Sequence, residues 1–216
     1  MDQTEPQPQS PDEVFLTAVL FESALAVIAL VLGWAMGPSA RQFVPELDAE
    51  QMGTLLGGLG QGLVAAIPIL IAVELIRRVP WEPILELERL TDDQMIRSLL
   101  KLHPGELIVI SLCAGIGEEL LFRGWLMYWL ADGFALMVPA VSPQAILVAA
   151  LVVSSVVFGF FHPITRLYIF LATLMGCYFG ALLIWTGNLL VPMTAHAAYD
   201  AAQLLITRRE VRSESA

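Results

Sequence analysis

The chain of 216 residues is 57% hydrophobic and only 15% charged, with a mean hydropathy of +0.72 and a formal charge of −10. That excludes a soluble globular domain, a disordered chain and a disulfide scaffold, because so much apolar surface cannot be hidden in one core of this size. With 21 acidic against 11 basic residues there is no basic patch to neutralise phosphates, so nucleic acid is not favoured as a partner and the lipid bilayer is the expected surrounding.

The first thirteen residues hold Asp2, Glu5, Asp12 and Glu13, three prolines and no Lys or Arg. They read as a flexible acidic tail rather than the basic start of a signal peptide. Six hydrophobic segments follow, at 14–36, 53–76, 105–131, 143–162, 165–186 and 188–206. Pro38, Pro104, Pro139 and Pro143 punctuate their ends, Pro68 falls inside the second, and Trp185 to Asn188 make a short turn before the last. The expected fold is all-α: a polytopic membrane protein of about six transmembrane helices plus a short interfacial helix.

That interfacial helix is expected between residues 77 and 103, where Thr91 and Gln94 fit a capping box and Met95, Ile96 and Leu99 share one helical face. An ordinary polar loop is the alternative. Gly53 and Gly57, Gly58 and Gly62, and Gly176 and Gly180 are spaced for close helix packing. Cys113 and Cys177 lie within apolar segments and read as packing residues. With six spans, one side of the membrane receives Arg77, Arg78, Arg89, Arg97, Lys101, Arg166, Arg208, Arg209 and Arg212, and the other receives Arg41 alone. The asymmetry places both termini in the cytoplasm, with the cell membrane as the expected location.

Ionisable groups within membrane spans are costly and mark function. The third segment carries Glu118 and Glu119 side by side, with Arg123 four residues after Glu119 on the same helical face. Glu118 is turned about 100° away, free to face another space. Phe158 and His162 close the fourth segment, and His196 and Asp200 stand four apart on the sixth. Alone, His162 reads as a headgroup-level histidine. Together the six groups are most economically gathered around one water-filled cavity, with a purely structural ion-pair network as the alternative. Glu74 and Arg78 form a boundary pair. Glu22, in the first segment, faces either the cavity or the interface, and nothing in the sequence gives it a catalytic role.

These residues resemble the CAAX protease and bacteriocin-processing family, the Abi-type glutamate intramembrane endopeptidases. Its motifs EExxxR, FxxxH and HxxxN or HxxxD stand here as Glu118-Glu119…Arg123, Phe158…His162 and His196…Asp200, in order and over about residues 105–206. The resemblance makes 105–206 the catalytic core; the hydropathy pattern divides the rest into a tail (1–13), two spans and interfacial segment (14–104) and a cytoplasmic tail (207–216). It also implies hydrolysis of a membrane-associated peptide or protein. Glu118 would activate a water with help from His162, and His196 would hold the oxyanion. Glu119 and Arg123 would fix the site, and Phe158 would shape the pocket. CAAX-processing members carry Asn where Asp200 stands; an ionised Asp cannot donate to an oxyanion, so Asp200 would orient His196 or pair with Arg123.

No cofactor is expected. A His₂Glu zinc site is the alternative, disfavoured because no HExxH helix is present. A silent scaffold of the same fold and a proton-coupled carrier are the other readings that the residues leave open.

Overall fold

A computed structural model describes residues 10–89 and 94–214. It is helical throughout, with no strand among the described residues. The helices are α1 (Pro11–Met36), α2 (Met52–Arg77), α3 (Glu82–Arg89), α4 (Gln94–Lys101), α5 (Pro104–Glu119), α6 (Met127–Met137), α7 (Pro143–Phe160), α8 (Arg166–Thr186) and α9 (Leu190–Glu214). Between α5 and α6 the chain stays helical through a π-helical stretch, Leu120–Leu126.

Local chemistry sets the boundaries. Ser10, Ser142 and Thr165 cap α1, α7 and α8 with their side chains, each satisfying a backbone N–H that has no partner within its helix. Pro11, Pro104 and Pro143 occupy first-turn positions, where proline's missing N–H costs nothing. Gly187 ends α8 at φ +63°, a left-handed conformation that glycine adopts without strain, and this makes the tight turn into α9. Pro68 is accommodated within an unbroken α2.

The helix from α5 to α6 and helix α9 form the centre. α9 packs between α2 and α5, α1 covers α5, and α7 packs on α8 and α6. Asn188 anchors the α8–α9 turn to α2 by donating its amide to the Thr54 carbonyl at 3.2 Å. At the opposite end, Arg77 of α2 clamps Glu210 of α9 with two hydrogen bonds of 2.9 and 3.3 Å.

α1, α2, α7 and α8 are long and apolar enough to cross a membrane, which makes this a multi-pass integral membrane protein. The other two predicted segments do not meet that measure by themselves. The π stretch cuts α5 to 16 residues, although the helical run continues to Met137. α9 carries His196, Asp200 and a charged C-terminal part, which lower its apolar character.

Two short helices, α3 and α4, stand where one interfacial helix is expected; in α4 Ser98 and Leu100 are buried, Leu99 packs on the apolar cluster around Leu102, and Met95 is exposed. α4 contacts α1 and α9. The Thr91–Gln94 capping box lies outside the described residues. Gly58 and Gly62 pack against the start of α9, and Gly176 and Gly180 against α7 and the central helix, as the spacing predicts; Gly53 and Gly57 meet nothing within the chain. Both cysteines are free and half-buried.

Candidate active site

The predicted residues converge. Glu118 and Glu119 end α5, Arg123 lies in the π stretch, Phe158 is on the last turn of α7, His162 follows that helix, and His196 and Asp200 are on α9. A π turn replaces i→i−4 bonds by i→i−5 bonds, as from the Met127 N–H to the Phe122 carbonyl. Such turns recur at functional sites.

Glu119 and Arg123 are completely buried. Arg123 Nη1 donates to Glu119 Oε1 at 3.0 Å, and His196 Nδ1 is 3.1 Å from the same oxygen. The other face of the guanidinium is apolar: its Cζ lies 4.2 Å from the centre of the Phe158 ring. This cation–π contact offsets part of the cost of burying the charge. Phe158 also packs on His162, with ring centres 4.7 Å apart.

Glu118 is held differently. Its Oε1 is 3.6 Å from His162 Nε2 and its Oε2 is 3.8 Å from His196 Nε2. Both separations exceed a hydrogen bond, and Oε2 is buried with no partner. His162 Nδ1 is 2.9 Å from the Phe158 carbonyl. That carbonyl can only accept, so Nδ1 carries the proton and Nε2 is directed at Glu118. His196 Nε2 stands 3.4 Å from Asp200 Oδ2. Of the two partners open to Asp200, the structure places His196 beside it, while Arg123 pairs with Glu119. His162 and Asp200 retain 24% and 28% side-chain exposure against 7% or less for the other charged groups, so the cluster is most open along their edge.

Three further residues reach the site. Phe179 of α8 stacks on His196 with ring centres 4.9 Å apart and 16° between planes. Tyr168 of α8 lies 6.1 Å from the His162 ring and within electrostatic range of Glu118 and Asp200. Glu22 of α1 lies within range of Glu118, His196, Asp200 and His162. The polarity of Glu22 signalled it in the sequence, with both destinations open. Phe179 and Tyr168 carry no such signal, since aromatic residues are ordinary in membrane helices.

A helical membrane protein with a buried carboxylate–histidine–arginine cluster is the class that fold and site define. Residues 102–202 match the family model described as Rce1-like, type II CAAX prenyl endopeptidase Rce1-like. The matched segment is similar to that family, which lies within the CAAX protease and bacteriocin-processing group, and it holds every residue of the three motifs. No curated protein and no solved structure matches the chain.

Proposed function

We propose that the protein is an intramembrane endopeptidase that hydrolyses a peptide bond of a membrane-associated peptide or protein, with Glu118 as general base and no metal. One observation carries the mechanism: of two adjacent glutamates, one is locked and one is free. Arg123 and His196 engage Glu119 at 3.0 and 3.1 Å, whereas Glu118 presents both oxygens to histidine nitrogens across gaps of 3.6 and 3.8 Å. A water bridging Glu118 and His162 is the nucleophile.

Glu118 takes a proton from this water as its oxygen attacks the scissile carbonyl carbon. Developing charge on the carbonyl oxygen is met by a proton on His196 Nε2. Glu118 then passes its proton to the leaving nitrogen, the C–N bond breaks, and an acid and an amine result. Glu119 and Arg123 hold His196 in place, Asp200 orients its Nε2 edge, and Phe158 walls the pocket.

The proposed topology has six crossings and cytoplasmic termini in the cell membrane, with the tail, two-span, core and C-terminal divisions set by the motifs. An outward stripe of Ile108, Val109, Leu112 and Ile116 on α5 supports a crossing by the central helix, because these exposed apolar residues recur at helical spacing. α9 is sheathed by α2, α5 and α8 and can cross without an apolar stripe of its own. Partners are the bilayer and the substrate, with no nucleic acid.

The test uses purified protein in nanodiscs and quenched peptides, prenylated and plain, with wild type beside Glu118→Gln and with or without a zinc chelator. Cleavage that is lost in the variant and indifferent to chelator is expected. Loss with chelator overturns the metal-free mechanism, and unchanged cleavage by the variant overturns the role of Glu118.

A further inference from the structure

The family segment begins at residue 102, yet one acidic side chain that faces the site comes from far outside it. Glu22 is the one ionisable residue between positions 14 and 36. Its carbonyl oxygen occupies the space that a Cβ on Gly117 would need, so the absent side chain beside Glu118 lets α1 approach at that level. Oε2 of Glu22 is buried and has no hydrogen-bond partner. The site groups within its electrostatic range are Glu118 on α5, His162 after α7, and His196 and Asp200 on α9. Among the described residues, Lys and Arg contribute no ion pair to it.

A buried acceptor without a donor is costly and needs an explanation. An extended peptide entering a membrane-level cavity has the complementary difficulty, backbone N–H groups with no acceptor. We propose that Glu22 anchors the substrate: its Oε2 accepts a hydrogen bond from one backbone N–H of the peptide segment lying beside Glu118. This rests on the proteolytic reading and adds a specificity rule to it. The residue that supplies this N–H must be one that has it, so proline is refused at that position.

Full-length protein in nanodiscs is assayed with a cleavable peptide and a series in which each non-scissile backbone amide in turn is N-methylated. On wild type, methylation at one position is expected to raise KM about tenfold, the worth of one hydrogen bond, with kcat within about twofold. Glu22→Ala raises KM for the plain peptide by the same factor, and methylation at that position then adds nothing. Glu22→Gln, whose amide oxygen still accepts, keeps KM within about threefold of wild type. The methylated series needs no variant to fold, and the Gln variant controls for loss of structure in the Ala one.

Three results overturn the assignment: no position sensitive to methylation on wild type; penalties of methylation and Glu22→Ala that add; or a loss of kcat with unchanged KM in both variants, which assigns Glu22 to proton transfer instead. The two readings separate cleanly. If wild type cleaves and Glu118→Gln does not, these results bear on Glu22 alone; if wild type cleaves no peptide, the proteolytic reading falls and this one with it.

Discussion

His196 and Arg123, from helices far apart in the chain, meet on a single oxygen: Glu119 Oε1 lies 3.1 Å from His196 Nδ1 and 3.0 Å from Arg123 Nη1. One buried carboxylate thus neutralises a buried guanidinium and fixes the orientation of an imidazole. Removing it by Glu119→Gln leaves the Arg123 charge uncompensated, a situation that typically costs about 3–5 kcal/mol. We expect a large fall in thermal stability together with loss of activity. Adding Arg123→Gln to Glu119→Gln should recover part of the stability but none of the activity, and thermal unfolding of the two single variants and the double variant measures that coupling.

Glu118→Gln should behave in the opposite way. Glu118 makes no close ion pair, and it is one of three carboxylates around His196. Replacing it removes like-charge repulsion and leaves the volume unchanged. A thermal midpoint equal to or above that of wild type is expected, with kcat/KM lower by about a thousandfold, roughly 4 kcal/mol of transition-state stabilisation. Stability that falls as far as in Glu119→Gln would assign Glu118 a structural role.

The cluster was legible in the sequence because the membrane makes polarity informative. Each of Glu118, Glu119, Arg123, His162, His196 and Asp200 stands out against apolar neighbours, and helical spacing already couples Glu119 with Arg123 and His196 with Asp200. Spacing cannot say which glutamate takes the arginine's partner histidine, because that depends on how α9 is rotated against α5. The same rotation left the partner of Asp200 open. The π stretch at Leu120–Leu126 was invisible, since its residues are ordinary helix formers and only the tertiary packing of the turn distinguishes it. Phe179 was hidden for a related reason: a stacking partner inside an apolar helix looks like any other core residue. The apolar pattern marks Met95, Ile96 and Leu99 as one face of a helix at the membrane interface, and only the tertiary contacts of α4 with α1 and α9 show that Ser98 and Leu100 are buried.

Asp200 provides a graded test of the oxyanion side. Its Oδ2 sits 3.4 Å from His196 Nε2 and its side chain is 28% exposed, at the more open edge of the cluster. Asp200→Ala should lower kcat on the order of tenfold to a hundredfold by loosening the imidazole, with little effect on stability. Asp200→Asn should keep kcat within about tenfold of wild type, because the amide can still accept from His196 or itself donate to the oxyanion. An Asn variant as impaired as the Ala variant would mean that the charge of Asp200, rather than its hydrogen bonding, is what the reaction needs.

The crossing number can be decided with two labels. In a background with Cys113 and Cys177 replaced by Ala, single cysteines are introduced by Ala135→Cys, near the end of α6, and by Arg212→Cys, near the end of α9; both positions are exposed. If the central helix and α9 both cross, residue 135 is on the external side and residue 212 in the cytoplasm. If only α1, α2, α7 and α8 cross, the chain between α2 and α7 never leaves the cytoplasmic side, and both positions lie there. Membrane-impermeant thiol reagent applied to intact cells is therefore expected to modify position 135 and not 212, with position 212 reacting only after lysis. Protection of both positions would establish four crossings. That result would also make Glu118 a residue of a helix lying on the cytoplasmic side, where the outward stripe of Ile108, Val109, Leu112 and Ile116 would have no lipid to face.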